Sequence, residues 1–250
     1  MRTPRRPVTD QLDATHRAQD LVGHGRRLTR PPTQPRGRAS PDRRPSSAGP
    51  TPNTSTGAAT SATDPPATIR GVLFLVRHAM PGFGPDVPPQ EWQLDAAGRL
   101  GAESLRNVLP PDALLVSSLE PKARQTLEPV GPVVTDVRFN EVRRDEPYHG
   151  EFRARRQAYI VGTDHPGWEP RRDVVARFAT GIQFWHTRVG TRPLVIATHG
   201  MAMTLWLAAA VGMPDPADFW AQLRLPDVFH VNLATRSYGR IVSTLLFQVR

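Results

Sequence analysis

The sequence predicts an α/β protein with three layers, in which a mostly parallel central sheet carries helices on both faces behind a disordered N-terminal tail. Two observations predict the layers. From about residue 70 onward, short apolar runs alternate with segments of helical periodicity, and polar residues follow several of the apolar runs directly. Strands separated by helices pair in parallel and are covered on both faces. A third observation, the composition of the first 68 residues, predicts the tail.

Residues 1–68 form the segment that we expect to be disordered. It holds 11 of the 27 prolines and, with 11 Arg against 5 Asp, a charge of +6. Such a composition buries too little apolar surface to offset the entropy lost on ordering. Residues 69–250, which we expect to form one catalytic domain, carry 21 basic and 18 acidic residues, or +3. This balance argues against nucleic acid as a partner, because such binding needs clustered basic charge.

Two absences narrow the class of protein further. The chain has no cysteine, which excludes disulfides, thiolate metal sites and a cysteine nucleophile. It has no run of 18 or more apolar residues, and no apolar stretch follows the N-terminal arginines. We therefore expect a cytoplasmic protein without a membrane partner.

The first half of the folded region predicts two strands and two helices. "GVLFLVRH" (71–78) is a continuous apolar run rich in branched residues, which suits a strand buried on both faces. "DAAGRLGAESLRNVL" predicts a helix with Asp95 as its N-cap and Leu100, Leu105 and Val108 at helical spacing. "ALLVSS" then predicts the second strand, and "EPKARQTLEPV" predicts the helix that follows it.

The second half continues the alternation. "PVVTDVRF" predicts a third strand, and residues 142–170 predict a long irregular stretch dense in arginine, proline and aromatic residues. "RRDVVARFATGIQFWHTRVG" predicts an amphipathic helix with Val174, Phe178, Ile182 and Trp185 on one face. "RPLVIATHG" predicts a fourth strand with the apolar helix "MAMTLWLAAAVGM" behind it, and the remainder predicts a hairpin around Tyr238-Gly239.

Residues that can perform chemistry stand where the predicted strands end. In open α/β sheets, ligands bind outside the carboxyl ends of the strands, so these ends predict the site. Two histidines, two cations, a carboxylate and the first residue of a helix come from four separate segments to one edge of the sheet. They are Arg77, His78, Lys122, Glu141, His199 and Gly200.

This set of side chains suits phosphoryl transfer. A neutral imidazole can attack phosphorus and form a covalent intermediate. Negative charge then spreads over the phosphoryl oxygens, which an arginine fork, a lysine point charge and the N–H groups of a helix beginning at Gly200 can stabilise. A carboxylate beside the leaving oxygen can protonate it and later activate water.

Four motifs in order carry a family resemblance. "LVRHAMP", "SSLEPKARQTLEP", "FNEVRRDEP" and "VIATHGMAM" resemble the histidine phosphatase superfamily, also called the phosphoglycerate mutase-like family. The resemblance implies that His78 becomes a phosphohistidine and that Arg77 and Lys122 grip the phosphoryl oxygens. It also implies that His199 is the second histidine of the pocket and that Glu141 is the proton donor.

The sequence departs from the family pattern in three places. Ala79 stands where the family usually has the glycine of Arg-His-Gly, and Gly84 stands where an asparagine often lies. Lys122, the only lysine beside 31 arginines, replaces the second arginine and loses its bidentate fork. For the proton donor, Glu146 and Glu151 remain alternatives to Glu141.

We therefore expect a hydrolase of phosphomonoesters that acts through a phosphohistidine on a small phosphorylated metabolite. We expect no cofactor and no metal, because the histidines show no metal-ligand spacing. Two alternatives remain open. One is phosphoryl transfer of the phosphoglycerate mutase type, and the other is a catalytically weak domain that binds phosphate, which Lys122 and Gly84 motivate.

Overall fold

A computed structural model describes residues 72–148 and 150–241 of the chain. The tail predicted for residues 1–68 lies outside the described residues. Within the described ranges, no helix is long and apolar enough to cross a bilayer.

The centre of the fold is a six-stranded sheet in the order β3-β2-β4-β1-β5-β6. The pairs β1–β4, β2–β4 and β2–β3 are parallel, whereas β5 runs antiparallel to both β1 and β6. This mostly parallel sheet confirms the predicted fold class. The strands are β1 (Leu73–Arg77), β2 (Leu114–Ser117), β3 (Val133–Thr135), β4 (Leu194–Thr198), β5 (Asp227–Asn232) and β6 (Ser237–Arg240).

The helices cover the two faces of this sheet. They are α1 (Ala96–Ser104), α2 (Pro121–Leu127), α3 (Phe152–Val161), α4 (Arg171–Val189), α5 (Gly200–Val211) and α6 (Pro216–Ala221). Alternate residues of β1 point to opposite faces, as a strand requires. Leu73 and Leu75 belong to the core beneath α4 and α5, whereas Phe74 and Val76 belong to the core beneath α2. The three-layer arrangement therefore follows from the alternation within a single apolar strand.

The α1 segment begins as predicted but buries a different face. The side chain of Asp95 accepts a hydrogen bond from the N–H of Gly98 at 2.6 Å, so Asp95 is the N-cap. The inward position of Leu100 is wrong, because this residue is 71% exposed. The helix instead buries the small residues Gly98 and Ala102, which allows it to approach the backbone of Met80 closely.

One strand boundary and two helices differ from the prediction. β3 ends at Thr135, because Asp136 accepts a hydrogen bond from the N–H of Arg138 and begins a 3-10 turn, Val137–Phe139. The stretch 142–170 contains α3, whose arginine-rich sequence hides its helical period. α6 lies in a segment for which no helix was predicted.

The C-terminal hairpin exists, but its turn lies earlier than predicted. Tyr238 and Gly239 are inside β6, paired with Val231 and His230 of β5. The turn precedes them, and Arg236 adopts the left-handed backbone there with φ of 51°. The prediction of a turn at Gly239 is wrong, because Arg236 rather than a glycine occupies the left-handed position.

Candidate active site

All six predicted site residues line one cavity of about 990 Å³ at the carboxyl ends of β1, β2 and β4. They are Arg77, His78, Lys122, Glu141, His199 and Gly200. The strands bring these residues together because β1 and β4 are neighbours and end in register, with Arg77 opposite Thr198. The volume lies at the upper end of the range of small-molecule sites.

His78 is held with one ring nitrogen free. Its backbone N–H donates to the carbonyl of Thr198 at 3.0 Å, which extends the β1–β4 ladder by one residue. Nδ1 lies 2.7 Å from the carbonyl oxygen of Ala79. A carbonyl only accepts hydrogen bonds, so Nδ1 carries the hydrogen and Nε2 of the neutral ring carries the lone pair. Burial, followed by the nearby charges of the pocket, lowers the pKa of His78 well below its ordinary value.

His199 lies beside His78, with ring centroids 5.2 Å apart, and is the N-cap residue of α5. Its Nε2 is 2.7 Å from the hydroxyl of Ser118, which follows β2 directly. Its Nδ1 is buried and has no hydrogen-bond partner within residues 72–148 and 150–241. Burial and the charge of Lys122 lower the pKa of His199 well below its ordinary value, although Glu141 opposes this shift.

Arg77 is fixed from the far side of the cavity. Its Nη1 donates to the carbonyl of Leu223 at 2.8 Å, and its Nε is buried without a partner among the described residues. Burial lowers the pKa of Arg77 to about 10, so the guanidinium stays charged at neutral pH. A side chain at Gly200 would place a Cβ 3.4 Å from this Nε and 3.2 Å from Nε1 of Trp220. Glycine therefore lets both donors approach the start of α5.

Lys122 lies in the first turn of α2 and is only 5% exposed. Its Nζ donates to Oε2 of Glu120 at 2.5 Å and to the carbonyl of Pro89 at 2.7 Å. An ammonium group has three donors, so one N–H remains for a ligand. Unlike a surface lysine, Lys122 is oriented by two fixed acceptors.

Glu120 is the site residue that the sequence analysis missed. Its Oε2 binds Lys122, while its Oε1 accepts from the backbone N–H of Glu141 at 2.7 Å and lies 3.4 Å from Nε2 of His199. One buried carboxylate thus contacts three of the predicted site residues. The only signal in the sequence was an acidic residue two positions before the single lysine.

Glu141 caps α5 in this structure. Its Oε1 accepts from the N–H groups of Ala202 at 2.9 Å and Val142 at 3.0 Å, and its Oε2 accepts from Met201 at 3.3 Å. Burial acts to raise the pKa of Glu141, but His199, Arg144 and the N–H of Val142 outweigh it and lower the pKa overall. The carboxylate is therefore ionised and stabilised at a helix N-terminus.

The two alternative acids are placed differently. Glu146 lines the cavity, with Oε2 bound by Arg144 and Arg156 and with Oε1 buried and lacking a partner among the described residues. Glu151 precedes α3 and does not line the cavity. Of the two, only Glu146 remains a candidate beside Glu141.

The family departures have distinct structural settings. The N–H of Ala79 donates at 2.8 Å to the hydroxyl of Thr126, which in turn donates to the carbonyl of Lys122 at 2.7 Å. Ala79 is fully buried, so its methyl group is accommodated. Gly84 does not line the cavity. In the part of the chain that the structure describes, no three His, Asp or Glu residues are grouped to hold a metal ion.

A doubly covered α/β sheet with two buried histidines at adjacent strand ends defines the class of protein. A family model described as "Histidine phosphatase superfamily (branch 1)" matches residues 73–246, so the chain belongs to this superfamily. The resemblance stated from the four motifs is thereby confirmed. Members of the superfamily are phosphatases and mutases. No curated protein matches the chain.

Solved structures share this fold at low identity. A mycobacterial glucosyl-3-phosphoglycerate phosphatase in complex with VO3 is 23% identical with a TM-score of 0.55, covering 68% of this chain and 97% of that one. Bacillus stearothermophilus YhfR is 20% identical with a TM-score of 0.55, covering 69% and 96%. The Mycobacterium tuberculosis protein Rv3214 is 15% identical with a TM-score of 0.53, covering 69% and 96%.

Proposed function

We propose that this chain hydrolyses phosphomonoesters through a phosphohistidine on His78. The observation that carries the proposal is the hydrogen bond from Nδ1 to the carbonyl of Ala79 at 2.7 Å, which leaves a lone pair on Nε2 in the cavity. Because the pKa of His78 is lowered, the ring is neutral and nucleophilic at pH 7.

In the first step, Nε2 of His78 attacks phosphorus, a P–N bond forms, and the bond between phosphorus and the alcohol oxygen breaks. The phosphoryl oxygens accept hydrogen bonds from the buried Nε–H of Arg77 and from the third N–H of Lys122. We assign His199 the tautomer in which the Ser118 hydroxyl donates to Nε2 at 2.7 Å. The hydrogen of the ring then lies on Nδ1, which becomes a further donor.

The departing oxygen takes its proton from Glu141. Before substrate binds, the carboxyl group of Glu141 is ionised. A phosphomonoester dianion adds negative charge beside this group and raises the pKa of Glu141. Substrate binding thus loads the acid with its proton. Glu146 is the second candidate, because its unpartnered Oε1 also lies buried at the cavity.

In the second step, water attacks phosphorus and gives a proton to the Glu141 carboxylate. The P–N bond breaks, inorganic phosphate leaves, and His78 is regenerated as a neutral imidazole. No metal or organic cofactor takes part in this scheme. We place the enzyme in the cytoplasm and expect a small phosphorylated molecule as its partner.

The test is phosphate release from a panel of phosphomonoesters, with and without EDTA, by the wild type and His78→Ala. The matched control is His230→Ala, since His230 packs on Phe74 and does not line the cavity. We expect EDTA-resistant turnover that is lost in His78→Ala and kept in His230→Ala. Turnover that survives the loss of His78 overturns the mechanism.

The same panel separates the remaining alternatives. Conversion of one phosphoglycerate isomer into another without phosphate release indicates a mutase, and binding of phosphate without turnover indicates a binding domain. Glu141→Gln should slow alkyl esters more than p-nitrophenyl phosphate, because only the poor leaving group needs a proton. If Glu146→Gln shows that pattern instead, Glu146 is the acid.

A further inference from the structure

The cavity is much larger than a phosphate group, and its walls have a chemistry that differs from its floor. We use "floor" for His78, His199, Lys122 and Glu120, and "walls" for the lining residues of two segments, 80–92 and 143–156, the second of which includes the start of α3. The walls contribute four aromatic rings. They are Phe83, Trp92, Tyr148 and Phe152.

Exposed aromatic rings are concentrated at this cavity. In residues 72–148 and 150–241, four Phe or Tyr residues are exposed: Phe83 at 59%, Tyr148 at 40%, Phe152 at 44% and Tyr238 at 38%. Three of these four line the cavity. A contiguous apolar patch on a soluble protein marks a binding surface, whereas scattered apolar residues do not.

The rings are held in place without a ligand. Nε1 of Trp92 donates to the carbonyl of Val87 at 2.8 Å, and Phe83 lies 6.1 Å from the Trp92 ring. On the other segment, the guanidinium of Arg156 stacks 4.8 Å from the ring of Phe152. Preorganised aromatic walls bind a flat apolar group at little entropic cost.

Two of the three wall arginines, Arg144 and Arg156, share the single carboxylate of Glu146. Arg144 donates from Nε to Oε2 of Glu146 at 3.0 Å and from Nη1 to the carbonyl of Val142 at 3.1 Å. Arg156 donates twice to the same Oε2, at 2.9 and 2.5 Å. The side chain of Arg143 is 85% exposed, with its Nε 3.9 Å from Glu169. Glu146 therefore fixes the orientation of Arg144 and Arg156, whereas the charge of Arg143 has no close partner among these contacts.

We propose that the walls select phosphomonoesters of alcohols that carry an aromatic or similarly flat apolar group. The phosphate occupies the floor and the apolar group lies among the four rings. This inference rests on the proposed function, since it concerns the alcohol portion of the same substrate.

The test compares 3-phenylpropyl phosphate with propyl phosphate, which have the same type of leaving alkoxide and differ only in the ring. We expect kcat/KM to be about thirtyfold higher for the phenyl ester, as burial of a ring in a preformed site predicts. Phe83→Ala and Phe152→Ala should each reduce this ratio at least threefold. The control is Leu100→Ala, since Leu100 is 71% exposed but does not line the cavity, and it should keep the ratio.

A binding measurement keeps the inference testable even without turnover. In His78→Ala, calorimetry should show tighter binding of 3-phenylpropylphosphonate than of propylphosphonate by a similar factor. If no ester is hydrolysed in a His78-dependent way, the proposed function fails, and the phosphonate ratio alone decides the inference. A ratio near one in both assays, a ratio unchanged in Phe83→Ala and Phe152→Ala, or 3-phosphoglycerate as the best substrate overturns the inference.

Discussion

The floor and the walls of the cavity are built by different means. His78, Lys122 and His199 are 8%, 5% and 0% exposed, and each stands at the end of a strand or in the first turn of a helix. The wall rings lie outside the strands, except that Phe152 begins α3, and three of them, Phe83, Tyr148 and Phe152, are 59%, 40% and 44% exposed. Sheet geometry thus fixes the residues proposed for the chemistry, while loops supply the residues proposed for selectivity. The two regions meet at Pro89, whose carbonyl accepts from Nζ of Lys122, so only loop changes that keep this contact can alter the walls without moving the floor.

The first prediction has the largest expected effect and concerns a part of the walls that is as tightly packed as the floor. A Cβ at Gly98 would lie 2.0 Å from the carbonyl oxygen of Met80, which lines the cavity. Gly98→Ala must shift the backbone and should reduce the free energy of unfolding by about 3 kcal/mol. Urea denaturation measures this change in the free energy of unfolding.

The control for this prediction is Gly84→Ala, in the wall segment 80–92. A Cβ at Gly84 meets nothing within 4 Å, so the substitution should change the free energy of unfolding by less than about 0.5 kcal/mol. Equal effects of the two substitutions would contradict the packing argument.

The second prediction sharpens the description of the floor as one connected network. Glu120→Gln removes the charge that faces the buried ammonium of Lys122 and should lower kcat/KM about thirtyfold, or about 2 kcal/mol. In a Lys122→Met background, the same substitution should cost at least 1 kcal/mol less, because the two residues act together. Steady-state kinetics of the four proteins measure this coupling.

Glu128→Gln serves as the control for the network. Glu128 pairs with Arg124, but both side chains are 45% exposed. The loss in kcat/KM should therefore correspond to no more than a few tenths of a kcal/mol. Additive effects of the Glu120 and Lys122 substitutions would show that Glu120 does not act through the lysine.

The third prediction concerns pH and is the smallest effect. The pKa of His78 in the folded protein lies well below its ordinary value, mainly through burial, so between that pKa and about 6.5 the unfolded chain binds more protons. Stability contributed by this neutral histidine is complete above pH 6.5 and is lost as the pH falls below it. The slope approaches about 1.4 kcal/mol per pH unit.

Urea unfolding at pH 7.5, 6.5 and 5.5 measures this slope, and His78→Gln should reduce it. Phe152→Ala, a substitution in the walls, should leave the slope as in the wild type. If His78→Gln and the wild type lose stability in parallel below pH 6.5, the histidine is not held neutral by its surroundings.

The sequence predicted the floor better than the walls for a physical reason. His78 and His199 each follow a buried apolar strand directly, so local patterning and the rule for strand ends place them together. Glu120 escaped notice because its role depends on contacts with Glu141 and His199, which are distant in the chain. A sequence shows such a carboxylate only as one more acidic residue near a helix start.

The walls were hidden for a different reason. α3 was missed because arginines fill most of its first turns, and only Tyr159 and Ile160 of that helix are buried. Whether Tyr148 and Phe152 line the cavity depends on how α3 packs against the rest of the fold. No periodicity in residues 142–170 encodes that choice, since loops are positioned by tertiary contacts.

The pairing of Lys122 with Glu120 and with the carbonyl of Pro89 constrains how this site can evolve. Two of the three donors of this ammonium group are directed at those acceptors. A planar guanidinium directs its five donors differently, so an arginine here would need acceptors in other positions. We therefore expect a lineage that exchanges this lysine for arginine to differ also at Glu120 or in the turn at Pro89.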